Sequence, residues 1–256
     1  MKRIGIDEIA LRKGHQEYVV VIVDLEQHEL VGLVPGRTHA AINQELAQWG
    51  EKVLNQIEEV SIDLSGNYRS LIQKRFPNAE IVADRFHVSK LIGDTLNQAR
   101  IAAKRALQER ADESERKRLE AVLKESKYAL LKLEKNLTEK QAKKLKEVKE
   151  SFPLLAQMHQ QKEDFRMIFE DYQDWTTGTF ALMDWMKAAE TTFKNNMGTL
   201  KNWFAEITAY FETRTTSGVV EGINNRLKLI KRLGYGFRNF ENFRLRCLMC
   251  WHLDIG

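Results

Sequence analysis

Three acidic residues, Asp7, Asp63 and Glu221, occupy positions where a carboxylate is better suited to chemistry than to packing. Asp7 interrupts a strand-like run of isoleucines, where a carboxylate costs free energy unless a metal ion or hydrogen bonds compensate. Asp63 closes a second strand-like run, and sites in α/β proteins are usually built at such strand ends. If the three carboxylates converge, they form an oxygen-only site suited to one or two Mg²⁺ or Mn²⁺ ions acting on a phosphodiester. On spacing alone, ordinary turn, capping and surface roles for these acids are equally well supported.

The elements that must position these acids follow the order βββαβαβ. Short β-branched runs predict strands over residues 3–10, 18–25, 29–34, 59–64 and 80–83, and helical spacing covers residues 40–49 and 68–76. This is the order of an RNase H-like α/β fold, a mixed sheet whose antiparallel meander leads into parallel strands, although other α/β folds share it. In such a sheet the first and fourth strands are neighbours, so Asp7 and Asp63 would meet.

A long helical segment separates the second acid from the third. Residues 91–150 are rich in Ala, Leu, Lys and Glu, and further helices are predicted over residues 154–172, 180–193 and 200–210. The apolar positions of these helices are expected to form a core that includes Met167, Phe169, Trp185, Met186, Trp203 and Phe204. We therefore predict a catalytic domain of residues 1–90 and 214–256, interrupted by an all-helical insertion of residues 91–213.

The third acid lies on a helix predicted over residues 218–232, which Gly234-Tyr235-Gly236 should end. Apolar side chains at helical spacing would face the sheet: Val220, Ile223, Leu227 and Ile230. Glu221 would begin a polar face that continues through Asn224, Asn225 and Lys228. Asn239 could cap a closing helix that runs through Trp251.

Basic residues cluster around this third acid. Between Arg214 and Arg246, Glu221 and Glu241 are the only acids, against the basic residues Arg214, Arg226, Lys228, Lys231, Arg232, Arg238, Arg244 and Arg246. A basic patch with so few acids attracts a phosphate backbone, whereas the plainer interpretation is a solvated helix face.

Composition limits the class of protein. The chain has 256 residues, of which 43% are hydrophobic and 30% charged, and its net charge is +4. No apolar run approaches the ~20 residues that cross a bilayer, and the first residues lack the pattern of an export signal. We expect a soluble, cytoplasmic protein. Cys247 and Cys250 are expected in the core; their spacing also fits half of a zinc site, for which only His252 lies nearby.

Four motifs carry a resemblance to a known family. They are Ile4-Gly5-Ile6-Asp7-Glu8, Ile62-Asp63-Leu64-Ser65-Gly66-Asn67-Tyr68, Val82-Ala83-Asp84-Arg85-Phe86-His87, and Glu221-Gly222-Ile223-Asn224-Asn225-Arg226-Leu227-Lys228 with the following Tyr235-Gly236-Phe237-Arg238-Asn239-Phe240-Glu241-Asn242-Phe243-Arg244. In this order they resemble the DDE transposases of bacterial insertion sequences, specifically the family named after insertion sequence L-three. The resemblance covers almost the whole chain and is most specific at its two ends.

The resemblance implies functions for the residues that match. Asp7, Asp63 and Glu221 would be the metal-binding triad, holding Mg²⁺ or Mn²⁺, with the insertion between the second and third acids. Asp84 and His87 match a D-x-x-H signature and would act near the site, unless they are a helix N-cap and a packed histidine. The partner would be DNA, as element ends and target, and the assembly a homodimer or larger oligomer.

One departure from the family pattern leaves three hypotheses open. Members of this family usually begin with a zinc-binding segment and a helix-turn-helix region, whereas this sequence begins at the first strand, so specific recognition of DNA ends is not expected from these residues. The favoured hypothesis is a catalytic domain that cleaves and joins DNA. The others are an RNase H-like nuclease without strand transfer, and a non-catalytic DNA-binding or inhibitory remnant.

Overall fold

The strands form one five-stranded mixed sheet. The computed structural model describes residues 1–12, 17–109, 112–215 and 218–252. The strands are β1 (Arg3–Arg12), β2 (Glu17–Asp24), β3 (Glu29–Pro35), β4 (Glu59–Ile62) and β5 (Glu80–Ala83). Their order in the sheet is β3-β2-β1-β4-β5, with antiparallel pairing from β1 to β3 and parallel pairing of β1 with β4 and of β4 with β5. The predicted neighbourhood of the first and fourth strands is confirmed, and the sheet is compatible with an RNase H-like domain.

The remaining regular structure is helical. The helices are α1 (His39–Trp49), α2 (Glu51–Leu54), α3 (Gly66–Arg75), α4 (Arg85–Ala106), α5 (Glu113–Leu123), α6 (Ser126–Leu131), α7 (Glu139–Ser151), α8 (Pro153–Asp171), α9 (Trp175–Ala188), α10 (Lys194–Asn202), α11 (Phe204–Thr213), α12 (Gly218–Leu233) and α13 (Phe240–His252). No helix in the described ranges is long and apolar enough to span a membrane.

The chain forms two compact units. The first, which we call the sheet unit, comprises Met1–Phe86 and Ala205–Gly256, and the second, the helical unit, comprises His87–Phe204. The sheet unit is therefore discontinuous in sequence, and α12 and α13 complete it from the far end of the chain.

Helix α12 packs on one face of the sheet through the side chains that its apolar spacing predicts. Val220, Ile223, Leu227 and Ile230 are buried in one cluster with residues of β1, β2 and β3. The buried thiol of Cys247 on α13 belongs to the same cluster, and this burial raises its pKa to about 12. Cys247 is thus a core residue, as predicted.

Gly5 lets α12 approach β1 closely. A Cβ atom at this position would lie 2.6 Å from Cγ2 of Val220, closer than real carbon atoms approach each other, and 3.0 Å from Cγ2 of Val23, which is a tight contact. The absence of a side chain at Gly5 therefore sets the depth at which α12 sits, two residues before Asp7 on the same face of the strand.

A buried polar network holds the chain just before α12. The carboxylate of Glu59 is almost fully buried and pairs with Arg3, whose Nε lies 3.3 Å from Glu59 Oε2. The Thr215 hydroxyl contacts both of these side chains, and Arg3 also donates to the carbonyl of Thr213 at 3.2 Å. Because buried charges need partners, this network ties the entry to α12 to strands β1 and β4.

The helical unit has its own aromatic core. Phe165, Trp185 and Phe193 are buried, with the Phe165 and Trp185 ring centroids 4.7 Å apart. Of the predicted core residues, Phe169, Trp185, Met186 and Trp203 are buried, Phe204 is half-buried, and Met167 is exposed. The prediction for Met167 was wrong because it lies beside the apolar stripe of α8 and not on it.

Several element boundaries differ from those predicted. Strand β4 ends at Ile62, so Asp63 follows the strand instead of closing it. The helix predicted over residues 180–193 ends at Ala188, and the one predicted over 200–210 is divided between α10 and α11. The division falls at buried Trp203, whose backbone leaves the helical region at φ −107° and ψ 16°.

Candidate active site

The carboxyl ends of the parallel strands bring three aspartates into one row. Ile6 of β1 pairs with Ile62 of β4, and Ile62 pairs with Ala83 of β5. The next residue on each chain segment is Asp7, Asp63 or Asp84. The backbone N–H of Asp84 donates to the carbonyl of Ile62 at 2.6 Å, which extends the alignment one position beyond the strand.

Asp7 is held by the helix that packs over it. Its side chain is half-buried, and its Oδ2 accepts a hydrogen bond of 2.6 Å from Nδ2 of Asn224 on α12. Its Oδ1 accepts from the backbone N–H of Glu8 at 2.7 Å. Asn224 is itself buried, with 4% of its surface exposed. Two hydrogen-bond donors thus stabilise the Asp7 carboxylate and offset the free-energy cost of placing a charge inside a strand.

Asp63 lies close enough to Asp7 for both charges to act on one phenol. The pKa of Tyr68 is raised well above its usual value, chiefly by burial, then by the charge and hydrogen bond of Glu8, and further by the charges of Asp63 and Asp7. Tyr68 belongs to α3, which begins after Ser65 caps its first turn by accepting from the Tyr68 N–H at 3.5 Å. The two predicted aspartates and Tyr68 therefore share one electrostatic environment.

Glu8 is a fourth acid at this edge that the sequence analysis did not single out. Its Oε2 accepts from the Tyr68 hydroxyl at 3.2 Å, and its Oε1 lies 3.5 Å from Nη1 of Arg37. Glu8 lies on the same face of β1 as the buried Ile4 and Ile6, so an acid at an inward position of an apolar strand was the signal that could have revealed it.

Glu221 lies on the first turn of α12 with its side chain exposed. Residues three apart on a helix are neighbours on its surface, so Glu221 stands one turn from Asn224 and its hydrogen bond to Asp7. Within the described ranges, no three Asp, Glu, His or Cys side chains are grouped closely enough to hold a metal ion. The structure thus places Asp7 beside Asp63 at the strand ends, and Glu221 one helical turn from Asn224 on α12.

The residues expected to assist the triad occupy different places. Oδ1 of Asp84 accepts from the N–H of Phe86 at 2.8 Å, so Asp84 caps α4, one of the two roles considered for it. His87 belongs to the first turn of α4, in the helical unit. Lys228 and Arg232 are exposed on α12, and Arg238 is exposed in the segment that precedes α13.

The donors at this edge suit a hard divalent cation. Asp7 and Asp63 supply carboxylate oxygens, and Oδ1 of buried Asn224 has no hydrogen-bond partner among the described residues. Oxygen donors of this kind are those that Mg²⁺ and Mn²⁺ prefer.

Comparison with known proteins agrees with the arrangement of these motifs. The model of a family described as transposase, of the DDE type named after insertion sequence L-three, matches residues 4–247. The transposase for insertion sequence element IS1001 of Bordetella parapertussis is 31% identical over 247 residues, which cover 95% of this chain and 59% of that protein. The transposase for insertion sequence element IS1557 of Mycobacterium tuberculosis is 29% identical and is covered over 57% of its length.

The chain thus spans somewhat more than half the length of the curated relatives that it resembles. The family match extends from β1 to α13 and includes every motif around the row of aspartates. This chain belongs to the DDE transposase family of insertion sequence L-three.

Proposed function

We propose that the sheet unit is an RNase H-like catalytic domain that cleaves DNA and joins the resulting strand to a target. In this proposal Asp7, Asp63 and Glu221 are the catalytic acids, and the helical unit is an insertion between the second and third of them. The observation that carries the proposal is the alignment of Asp7 and Asp63 at the ends of paired parallel strands, with α12 tied to Asp7 through Asn224.

The chemistry requires divalent ions at this edge, and the donors fit them. When bound, two such ions would supply activation of the attacking water or 3′-hydroxyl and stabilisation of the leaving oxygen. Asp7, Asp63 and Glu221 would hold them, and the unpartnered amide oxygen of Asn224 is an additional donor beside Asp7.

The chain's own residues would prepare this edge of the sheet. Asn224 fixes the orientation of the Asp7 carboxylate, and Glu8 is held between Tyr68 and Arg37 so that its charge is partly balanced. The capping contact of Asp84 orders the start of α4, and we assign Asp84 and His87 to the support of the DNA that flanks the cleaved bond.

The exposed cations beyond Glu221 would bind the phosphate backbone. Lys228, Arg232 and Arg238 follow Glu221 on α12 and the next segment, and phosphate contacts position DNA without reading its bases. The proposal includes action in the cytoplasm as a homodimer or larger assembly. Light scattering with and without DNA would measure the size of the assembly.

A strand-transfer assay tests the proposal. The full chain is incubated with Mg²⁺, a labelled DNA duplex that ends in a free 3′-hydroxyl, and a supercoiled target plasmid, and joined products are counted. We expect Asp63→Asn and Glu221→Gln to lower joining by about a hundredfold or more, because each removes a charge that binds the ions. Glu51→Gln on α2 is the matched control and should leave joining unchanged.

Each failure of this assay has a distinct meaning. Undiminished joining by Glu221→Gln would show that the third acid is wrongly assigned. Products that are cut and never joined would favour a nuclease. If the chain neither cuts nor joins but depresses joining by a full-length relative, an inhibitory role would replace the proposal.

A further inference from the structure

The aromatic ring of Tyr235 is fully exposed at the turn between α12 and α13. Its exposed fraction is 100%, the largest among the exposed apolar and aromatic side chains of the described residues. A tyrosine usually buries its large apolar surface and leaves only the hydroxyl in water. No packing among the described residues therefore accounts for an aromatic side chain at this position.

The backbone at Tyr235 also disfavours tyrosine. Its φ is +52°, in the left-handed region that glycine occupies without penalty. The N–H of Gly236 donates to the carbonyl of Lys231 and the N–H of Tyr235 to that of Arg232, both at 3.0 Å. This pair of bonds is a Schellman motif, which places Tyr235 at the position where helices most often carry glycine. A strained residue with no compensating contact is a signal of function.

The turn that carries Tyr235 is anchored to the core. A Cβ atom at Gly234 would lie 2.7 Å from the ring of Phe237, so Gly234 and Phe237 fit closely together. The ring centroids of Phe237 and the buried Phe243 are 5.2 Å apart. Tyr235 is thus presented to solvent from a fixed support.

The surroundings of Tyr235 favour a polyanion. Residues 222–240 include no acid and contain Arg226, Lys228, Lys231, Arg232 and Arg238. Lys228 and Arg232 have no carboxylate partner within the described part of the chain, and Lys231 donates to the carbonyl of Ala10 at 2.8 Å. An exposed aromatic ring among cations is the combination with which proteins bind unstacked bases of nucleic acids.

The distance between Tyr235 and the row of aspartates follows from the way α12 lies along β1. Helix α12 and strand β1 run in the same direction. Val220 lies at Gly5, Asn224 contacts Asp7, and Lys231 contacts Ala10. Asn224 is separated from Leu233, the last residue of α12, by about 14 Å at a rise of about 1.5 Å per residue, and the turn places Tyr235 about 15 Å beyond the Asp7 contact. A DNA strand covers that distance in about four nucleotides, at about 3.4 Å each.

We infer that Tyr235 is a base-stacking residue, which receives an unpaired or unstacked DNA base about four nucleotides from the bond that is cut. This inference rests on the proposed function, since it takes the row of aspartates as the place of cleavage. Lys228 and Arg232 bind the backbone beside the stacked base, and the rigid turn presents the ring to it.

Binding to two DNA forms tests the inference. The full chain is titrated into a fully paired duplex and into a forked duplex of equal length whose single-stranded arm carries the fluorescent base 2-aminopurine at one of eight successive positions. Tyr235→Ala should weaken binding to the fork about tenfold and change binding to the paired duplex less than twofold, because stacking needs a free base face. Tyr235→Phe should retain the affinity and the quenching of the stacked 2-aminopurine. Tyr128→Ala, which removes another exposed tyrosine, should change neither.

Tyr235→Gly should change DNA binding and stability in opposite directions. It should weaken binding to the fork as Tyr235→Ala does while raising the midpoint of urea unfolding, because glycine suits the left-handed backbone. If Tyr235 had only a structural role, Tyr235→Gly would lower both the affinity for the fork and the midpoint of urea unfolding. Equal fork binding by wild type and Tyr235→Ala, or equal losses on both DNA forms, would overturn the inference.

The titrations and the strand-transfer assay together separate this inference from the proposed function. If Mg²⁺-dependent joining occurs and Tyr235→Ala binds forked DNA normally, the inference fails and the catalytic proposal stands. If fork binding depends on Tyr235 but no variant or wild type cuts DNA, the catalytic proposal fails and the base contact stands. A wild-type chain that binds neither DNA form overturns both.

Discussion

The imidazole of His159 lies fully buried in the helical unit, and neither ring nitrogen has a hydrogen-bond partner among the described residues. Burial lowers its pKa to about 4, and the charges of Lys162 and Lys149 act in the same direction against that of Glu163. A buried imidazole without partners is stable only in its neutral form. His159 therefore makes the stability of α8 and its neighbours sensitive to acid.

The direction of this pH dependence follows from proton binding. Unfolded His159 takes up a proton near pH 6.5, whereas the folded side chain resists protonation down to about pH 4. Stability is therefore complete above pH 6.5 and is lost as the pH falls towards 4. Between pH 7 and pH 5 we expect a loss of about 2 kcal/mol in the free energy of unfolding from this residue.

Urea unfolding of wild type and His159→Leu at the two pH values measures this contribution. All other titrating groups are shared, so the difference between the two pH profiles isolates His159. The leucine variant should lose about 2 kcal/mol less than wild type on acidification. Parallel profiles would show that the imidazole has a partner or is protonated in the folded state.

At the same scale, the sequence predicted some site residues better than others. Asp7 and Asp63 could be placed together because strand order determines which strand ends are neighbours, and β1 and β4 do pair up to Ile6 and Ile62. The hydrogen bond from Asn224 to Asp7 joins residues 217 positions apart and depends on the rotation of α12 about its axis. Helical spacing predicted that Asn224 lies on the same face of α12 as Glu221, three residues before it, but it did not predict that Asn224 binds Asp7.

At the scale of elements, the contact between α12 and β1 is the one on which the candidate site depends. Gly5→Ala should place a methyl group against Val220 and Val23 and lower the free energy of unfolding by about 1–3 kcal/mol, because an overfilled contact must separate. Thermal unfolding measures the loss, and joining of DNA should fall with it as Asn224 moves from Asp7.

Two further variants define the cause. Gly32→Ala on β3 is the matched control, because its nearest neighbours would lie 3.6 Å or more away, in ordinary contact. Adding Val220→Ala to Gly5→Ala removes the obstructing methyl group and should recover part of the stability. A Gly5→Ala chain as stable as wild type would mean that α12 has room to move.

The elements themselves were largely predictable, since β-branched runs and helical spacing are local properties. The positions of all five strands and of α12 follow the predicted pattern to within a few residues. The division between α10 and α11 was missed because the helix-favouring sequence continues through Trp203, whose burial decides the break. Tertiary packing overrides local propensity there.

At the scale of the whole molecule, charge is concentrated where DNA is proposed to bind. The net charge is only +4, yet eight of the basic residues fall between Arg214 and Arg246. The logarithm of DNA affinity should fall linearly with that of salt concentration, because bound cations release counterions from phosphates. Lys228→Glu should lower this slope by about 1 if Lys228 contacts one phosphate.

Lys52→Glu on α2 changes the net charge by the same amount and is the matched control. It should shift affinity slightly and leave the slope unchanged, since long-range charge acts without a phosphate contact. Fluorescence titrations of a short duplex at salt concentrations between about 50 and 300 mM separate the two effects. Equal slopes for both variants would place the DNA elsewhere on the molecule.

Because the sheet unit is discontinuous in sequence, its two parts are synthesised at different times. A ribosome adds about 5–20 residues per second, so roughly 10–40 s pass between the synthesis of Asp7 and that of Asn224. During that interval the nascent chain carries Asp7 and Asp63 but neither Glu221 nor the amide that orients Asp7. The candidate catalytic centre therefore stays incomplete until α12 has been made, and its assembly waits for the synthesis of Glu221 and Asn224.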